Sequence, residues 1–157
     1  EDIMNKDDNF FMECAFDIKN MSTCARRQVG SVLVKDNEII SYGYNHTVKG
    51  SRSCTKTSCI RTKNNIESGT RQEFCMATHA EQMAIIEALK DGYDISGSRL
   101  YVTDSPCVIC SRLICEFDIA EVCYADNYPD ELSFEILNNA GVLVRKINNK
   151  TKIKTKK

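Results

Sequence analysis

No tryptophan occurs among the 157 residues, and charge nearly cancels: 21 Lys and Arg face 22 Asp and Glu, for a formal net charge of −1. Such a chain sets up no global field that would draw in nucleic acid or an anionic membrane surface. An open groove that stacks and tracks a polynucleotide strand is disfavoured, because it would want basic and aromatic side chains in quantity. No stretch approaches the roughly 20 apolar residues of a membrane-crossing helix. The opening residues Glu1 to Lys6 carry no apolar segment of the signal-peptide kind, so a cytoplasmic location is expected. Neither an internal repeat nor a low-complexity block breaks the chain.

What is present suits one domain over residues 1–147. Apolar side chains make up 42% and charged ones 27%, ordinary for a globular core with a polar surface. The end is different. Lys146, Lys150, Lys152, Lys154, Lys156 and Lys157 crowd a nearly apolar-free segment, and residues 148–157 read as a basic, solvated tail. A nucleic-acid-binding tail is the alternative. Nine cysteines are many for a chain without a signal segment, where metal binding or burial explains them better than disulfides.

Periodicity divides the rest. Residues 8–23 carry a helical stripe of Phe10, Phe11, Cys14, Ala15, Ile18 and Met21. Val29–Lys35 and Ile39–Tyr44 read as a hairpin turning at Asp36-Asn37. Residues 45–77 show no clear period, and a structureless loop of that length needs something to tie it down. A helix follows from Thr78 to Gly92, a strand at Arg99–Thr103, and a helix opened by Ser105-Pro106 and running to about Phe117. Ala120–Ala125 is a strand, Asp130–Asn139 a helix, and Val142–Ile147 a last strand. The order predicts an α/β fold: a three-layer α/β/α sandwich on a five-stranded mixed sheet, with an antiparallel first hairpin and parallel later strands.

Two fragments carry chemistry. His79-Ala80-Glu81 opens one helix, and Pro106-Cys107-Val108-Ile109-Cys110 opens another. Cysteines three apart on a first helical turn share a face and can grip one ion. The helix N-terminus favours thiolate over thiol. With His79 arriving from the other helix, three protein ligands would leave the fourth corner of a zinc tetrahedron open, as catalytic sites do. Glu81, two residues on, diverges from the ligand direction and is placed to move protons. Alone, either fragment says little. In this order, each at a helix start, H-x-E with P-C-x-x-C is the signature of zinc deaminases. His46, the other histidine, reads as a loop residue.

The sequence resembles the deoxycytidylate (dCMP) deaminases of the cytidine deaminase-like superfamily over about residues 10–147. The resemblance is carried by residues 22–30 (STCARRQVG), Gly43-Tyr44-Asn45, Cys75 with Thr78–Ala84, Leu100–Cys110 and Asp126–Asp130. It implies Zn2+-dependent hydrolysis of dCMP to dUMP and ammonia, a homo-oligomer, and dCTP and dTTP as effectors. It also implies nucleotide contacts from Asn45, Arg26, Tyr128 and Ala80. A nucleoside monophosphate wants a cation and hydroxyl donors near its dianion, which suits Arg26 and Tyr128. This chain has His46, Val48 and Met83 where the family usually has Gly, Pro and Asn.

Related deaminases often bind a second, structural zinc. Here Cys24, Cys54, Cys59 and Cys75 could supply four thiolates that close the long loop. The alternative is that they are buried or loose thiols. Cys14, Cys115 and Cys123 fall on apolar faces and read as core. Two other functions stay open: deamination of another base, nucleoside or polynucleotide base, and a catalytically inactive zinc- or nucleotide-binding module. A structural site would have no need of Glu81.

Overall fold

The computed structural model describes residues 6–55 and 57–148. The basic tail, save Asn148, lies outside the described residues. Along the chain run α1 (Lys6–Lys19), β1 (Gly30–Lys35), β2 (Glu38–Tyr44), β3 (His46–Thr47), α2 (Ile60–Lys63), a 3-10 turn (Gln72–Phe74), β4 (Ala77–Thr78), α3 (Ala80–Lys90), β5 (Arg99–Asp104), α4 (Val108–Glu116), β6 (Glu121–Asp126), α5 (Glu131–Asn139) and β7 (Leu143–Lys146).

Five strands form a mixed sheet in the order β2-β1-β5-β6-β7. β1 pairs antiparallel with both β2 and β5, whereas β5, β6 and β7 run parallel. Asp36 and Asn37 turn the first hairpin with φ of 51° and 62°, the left-handed pair a tight two-residue turn demands and Asx residues tolerate. Alternation along the strands feeds two cores. Leu33, Leu100, Val102 and Val122 pack with Ala84, Ile85, Ile114 and Leu137 under α3, α4 and α5. Val32, Val34, Tyr101 and Cys123 pack with Phe11, Met12 and Ala15 under α1. The expected three layers result. On the α1 side a buried carboxylate is fully engaged. Asp8 accepts from Tyr101 Oη at 2.5 Å and from Arg145 Nη1 and Nη2 at 3.0 and 3.1 Å.

Two local expectations need correcting. The first helix stops at Lys19, not near residue 23, so Cys24 lies beyond it in an irregular segment. Ser22 Oγ is drawn out of helical register by Asn45, donating to its backbone oxygen at 2.9 Å and also meeting its side-chain oxygen. Residues 45–77 are not structureless either. His46 and Thr47 pair with Thr78 and Ala77, tying the loop's two ends together. Inside it, Arg61 donates to the carbonyls of Glu67 and Thr70 at 3.2 and 3.1 Å. Arg26 holds the carbonyl of Ile66, and Tyr128 Oη accepts from Gly69 N at 2.8 Å. These anchors come from residues distant in sequence or from backbone atoms, which no hydrophobic period records.

Candidate metal centre

α3 is set down on the sheet by small residues. A Cβ at Gly43 of β2 would meet Ala80 O and lie 2.5 Å from Ala84 N. Ser31 Oγ donates to Ala80 O at 2.8 Å, and Ser41 Oγ to Ala84 O at 2.6 Å. His79 caps this helix with extended backbone, φ −74° and ψ 156°, which leaves its ring outside the helical spiral. Gln82 Oε1 accepts from His79 N at 2.9 Å and fixes the entry. Cys107 is the N-cap residue of α4. Asp130, at the start of α5, accepts from Val108 N at 2.8 Å, and Ser133 Oγ donates to Pro106 O at 2.6 Å. Thus α5 steadies the turn that presents the sulfurs.

The two helix beginnings meet as expected. Nδ1 of His79 is 3.4 Å from Cys107 Sγ and 3.3 Å from Cys110 Sγ. All three ligand atoms lie within 4.8 Å of one another. A tetrahedral zinc with Zn–N near 2.05 Å and Zn–S near 2.3 Å would set each N···S edge at about 3.5 Å, so the donors fit the ion. Glu81 is 5% exposed, and its Oε2 accepts from Cys110 Sγ at 3.7 Å. It stands beside the cluster without being one of the three.

Burial, hydrogen bonds and neighbouring charges shift the proton affinities of all four side chains. Burial opposes charge on His79, yet hydrogen bonds to Cys107 and Cys75 and the charge of Glu81 push its pKa up to about 11. A hydrogen bond from Cys110 and the neighbouring imidazolium, against the cost of burial, bring Cys107 down to about 4. Its hydrogen bond to Cys107, burial and the Glu81 charge hold the Cys110 thiol well above its ordinary range. Burial, only partly offset by His79, raises Glu81 to about 7. A divalent cation replaces such protons when it binds, which couples metal uptake to proton release.

One cleft joins these groups to the other residues singled out in the sequence. Asn45, Arg26, Tyr128 and Ala80 all line it beside His79 and Glu81. Asn45 is heavily committed within the protein: Oδ1 accepts from Val29 N at 2.9 Å, and Nδ2 donates to Arg27 O at 2.7 Å. Ala80 is fully buried with its carbonyl held by Ser31. Sequence reasoning missed Arg27. Its Nε donates to Asp104 Oδ2 at 2.6 Å, and its guanidinium lies 4.9 Å from the centre of the Tyr128 ring. The one available signal was its place beside Arg26; the register of β5 and β6, which sets Asp104 opposite Asp126, completes the group.

Cys24, Cys54, Cys59 and Cys75 line the same cleft. Burial, then the neighbouring Cys59, Cys24 and Cys75, raise the Cys54 thiol. Among the described residues, however, His79, Cys107 and Cys110 form the group of three or more whose ligand atoms converge within 4.8 Å; the sulfurs of Cys24 and of the loop residues Cys54, Cys59 and Cys75 are more widely spread. His46 stays outside the cluster, with Nδ1 2.8 Å from Thr47 O and its ring 5.1 Å from that of Tyr44. Met83 lines a separate groove against β2, and Val48 is 53% exposed.

Comparison with known proteins points the same way. Residues 5–126 match the model of the cytidine and deoxycytidylate deaminase zinc-binding region. Deoxycytidylate deaminase of Schizosaccharomyces pombe is 35% identical over 139 residues, covering 88% of this chain but 43% of that protein. The chain therefore spans less than half of that relative, and 45% of its Saccharomyces cerevisiae counterpart. Deoxycytidylate deaminase of Mycobacterium phage D29 is 34% identical over 122 residues, covering 74% of this chain and 92% of that one. The dCMP deaminase of cyanophage S-TIM5, solved in complex with dCMP and dUMP, superposes with a TM-score of 0.76 at 27% identity, covering 92% and 99% of the two chains. A zinc-ligand constellation at two helix starts, on this sheet and with these relatives, makes the chain a member of the cytidine and deoxycytidylate deaminase family.

Proposed function

We propose that this chain hydrolyses dCMP to dUMP and ammonia. The observation that carries the reading is the buried Glu81 carboxylate standing beside, but outside, the His79, Cys107 and Cys110 cluster. His79, Cys107 and Cys110 would hold the zinc, which would supply the Lewis acidity that lets water give up a proton near neutral pH. Glu81 takes one proton of the attacking water and hands it to the ring nitrogen next to the amino-bearing carbon; it then takes the second proton from the new hydroxyl and delivers it to the amine, so that the C–N bond breaks, ammonia leaves and the hydroxyl becomes the product carbonyl. One water is consumed and one ammonia released. Ala80, at the first helical turn, has a backbone N–H without an intrahelical acceptor, suited to the pyrimidine carbonyl. Asn45 would hold the sugar, and Arg26 with Tyr128 the phosphate; Arg27, packed on Tyr128, adds positive charge at the same end.

The same proposal takes in three further features. Cys24, Cys54, Cys59 and Cys75, which line one cleft, would hold a second zinc, and that ion would supply a cross-link for the loop. The chain works as a homo-oligomer, supported by exposed Tyr42 on edge strand β2 and exposed Ile86 and Leu89 on α3. A response to dCTP and dTTP rests on the family resemblance, and residence in the cytoplasm on the composition of the opening residues.

The test is ammonia release from dCMP, CMP, deoxycytidine, dCTP and single-stranded DNA. Turnover of dCMP above the rest supports the proposal. Turnover of non-phosphorylated compounds alone would remove the phosphate roles of Arg26 and Tyr128. Metal analysis should find two zinc ions per chain, and one after Cys54→Ser with Cys59→Ser.

A further inference from the structure

Tyr128 is fixed at its backbone, its ring face and its hydroxyl. Its backbone N–H donates to Ser105 Oγ at 2.6 Å. The Arg27 guanidinium lies 4.9 Å from the ring centre, and Arg27 is itself kept there by Asp104 at 2.6 Å and by the carbonyl of Asn127 at 3.2 Å. At the far end, Tyr128 Oη accepts from Gly69 N at 2.8 Å, and Nε2 of Gln72 also donates to it. The backbone sets up both donors. Gly69 has a φ of 83°, and a Cβ there would collide with Pro129 O. Arg71, at a φ of 48°, turns the chain into the short 3-10 segment that begins at Gln72. A phenol oxygen that accepts two N–H bonds has only its own proton left to offer. Among the described residues, no hydrogen bond takes up that proton. Tyr128 and Gln72 both line the cleft that reaches His79 and Glu81.

We infer that Gln72 is a positioning residue whose amide N–H, together with that of Gly69, makes the Tyr128 hydroxyl a dedicated donor to the phosphomonoester of the substrate. An uncontacted phenol can swing its O–H about the C–O bond, or accept instead of donate. Here both N–H groups occupy the oxygen, so the hydroxyl needs little further ordering when the anion arrives. A phosphate oxygen is an acceptor, and its charge draws a shorter and stronger bond than a neutral group does. A water molecule in the same place, as beside a bound nucleoside, gains less. Gln72 therefore favours nucleotide over nucleoside, and it does so through Tyr128. The long loop thereby serves the phosphate end of the cleft as well as its metal end. The inference rests on the nucleotide reading proposed above.

The probe is dUMP, whose binding is read by calorimetry without turnover, beside deoxyuridine, which lacks the phosphate. Tyr128→Phe should weaken dUMP by about 10- to 100-fold, as loss of a hydrogen bond to a charged group does, and deoxyuridine far less. Gln72→Met should weaken dUMP by about 3- to 10-fold, again with deoxyuridine far less affected. The double variant should bind dUMP no more weakly than Tyr128→Phe, because Gln72 acts through the hydroxyl. In steady state the Gln72→Met loss should fall on kcat/KM for dCMP and spare that for deoxycytidine. Additive losses, or equal losses for dUMP and deoxyuridine, would overturn the inference. So would tighter dUMP binding by Gln72→Met, the result if the amide took up the phenol proton instead of donating. Should Gln72→Met not fold, Gln72→Glu decides, because a carboxylate captures that proton. Its loss should be larger with Tyr128 present than in the Tyr128→Phe background, and equal losses in the two refute the role. A wild type that binds dUMP yet releases no ammonia from dCMP removes the proposed reaction and leaves this comparison to decide. A wild type that binds dUMP no better than deoxyuridine overturns the inference.

Discussion

Gly43→Ala should damage the metal centre although Gly43 contributes no ligand. The added Cβ would lie 2.5 Å from Ala84 N and 2.9 Å from Met83 Cβ, with Ala80 O also in the way. Ordinary contact is nearer 3.5 Å, so α3 must retreat from β2 by about 1 Å. The obstacles are mainly backbone, so no side chain can swing aside to absorb the strain. Overpacking of this kind costs about 1–3 kcal/mol. The bonds from Ser31 to Ala80 O and from Ser41 to Ala84 O would stretch, at about 1 kcal/mol each. Together the loss comes to about 3–5 kcal/mol. The displaced helix is the one that begins at His79 and carries Glu81 in its first turn. A misplacement of about 1 Å costs on the order of 100-fold in rate. Urea unfolding of the zinc-loaded protein, with ammonia release on the surviving folded fraction, measures both. A Gly43→Ala protein as stable and as active as wild type would refute the reasoning.

Three further outcomes are expected. Glu81→Gln should retain zinc and lose about 100- to 10,000-fold in turnover; unchanged turnover would end the proton-transfer role. Cys110→Ser should bind zinc far more weakly while the far-UV spectrum is kept, checked by metal analysis after dialysis. Asp8→Asn should destabilise the fold by about 2 kcal/mol, less than for a fully buried pair, because the Arg145 side chain is 36% exposed. Burial alone would raise the Asp8 pKa, but Arg145 and Tyr101 hold it below the usual carboxylate range. Its stabilisation is therefore complete above the unfolded value of about 3.9 and fades as pH falls through the lower folded value. Wild type should lose stability over that acidic window, and Asp8→Asn should lose less.

The five sheet strands and the helices against them were legible because each carries its period. Val32, Leu33 and Val34 alternate between two cores, and Ala84, Ile85 and Ala88 repeat at helical spacing. The metal ligands were legible because the chemistry dictates both residue type and spacing. The long loop was not. Its order depends on single hydrogen bonds, Arg61 to two carbonyls and Tyr128 to Gly69, that leave no periodic trace. Arg27 was passed over for the same reason: its partners Asp104 and Tyr128 are brought to it by the parallel register of β5 and β6.

The most direct measurement is anomalous diffraction at the zinc edge from crystals of the zinc-loaded chain. A peak is expected about 2.0–2.3 Å from His79 Nδ1, Cys107 Sγ and Cys110 Sγ, with a fourth position held by no protein atom and the Glu81 carboxylate facing it. A peak ligated by four protein atoms, or no peak at these three side chains, would contradict it.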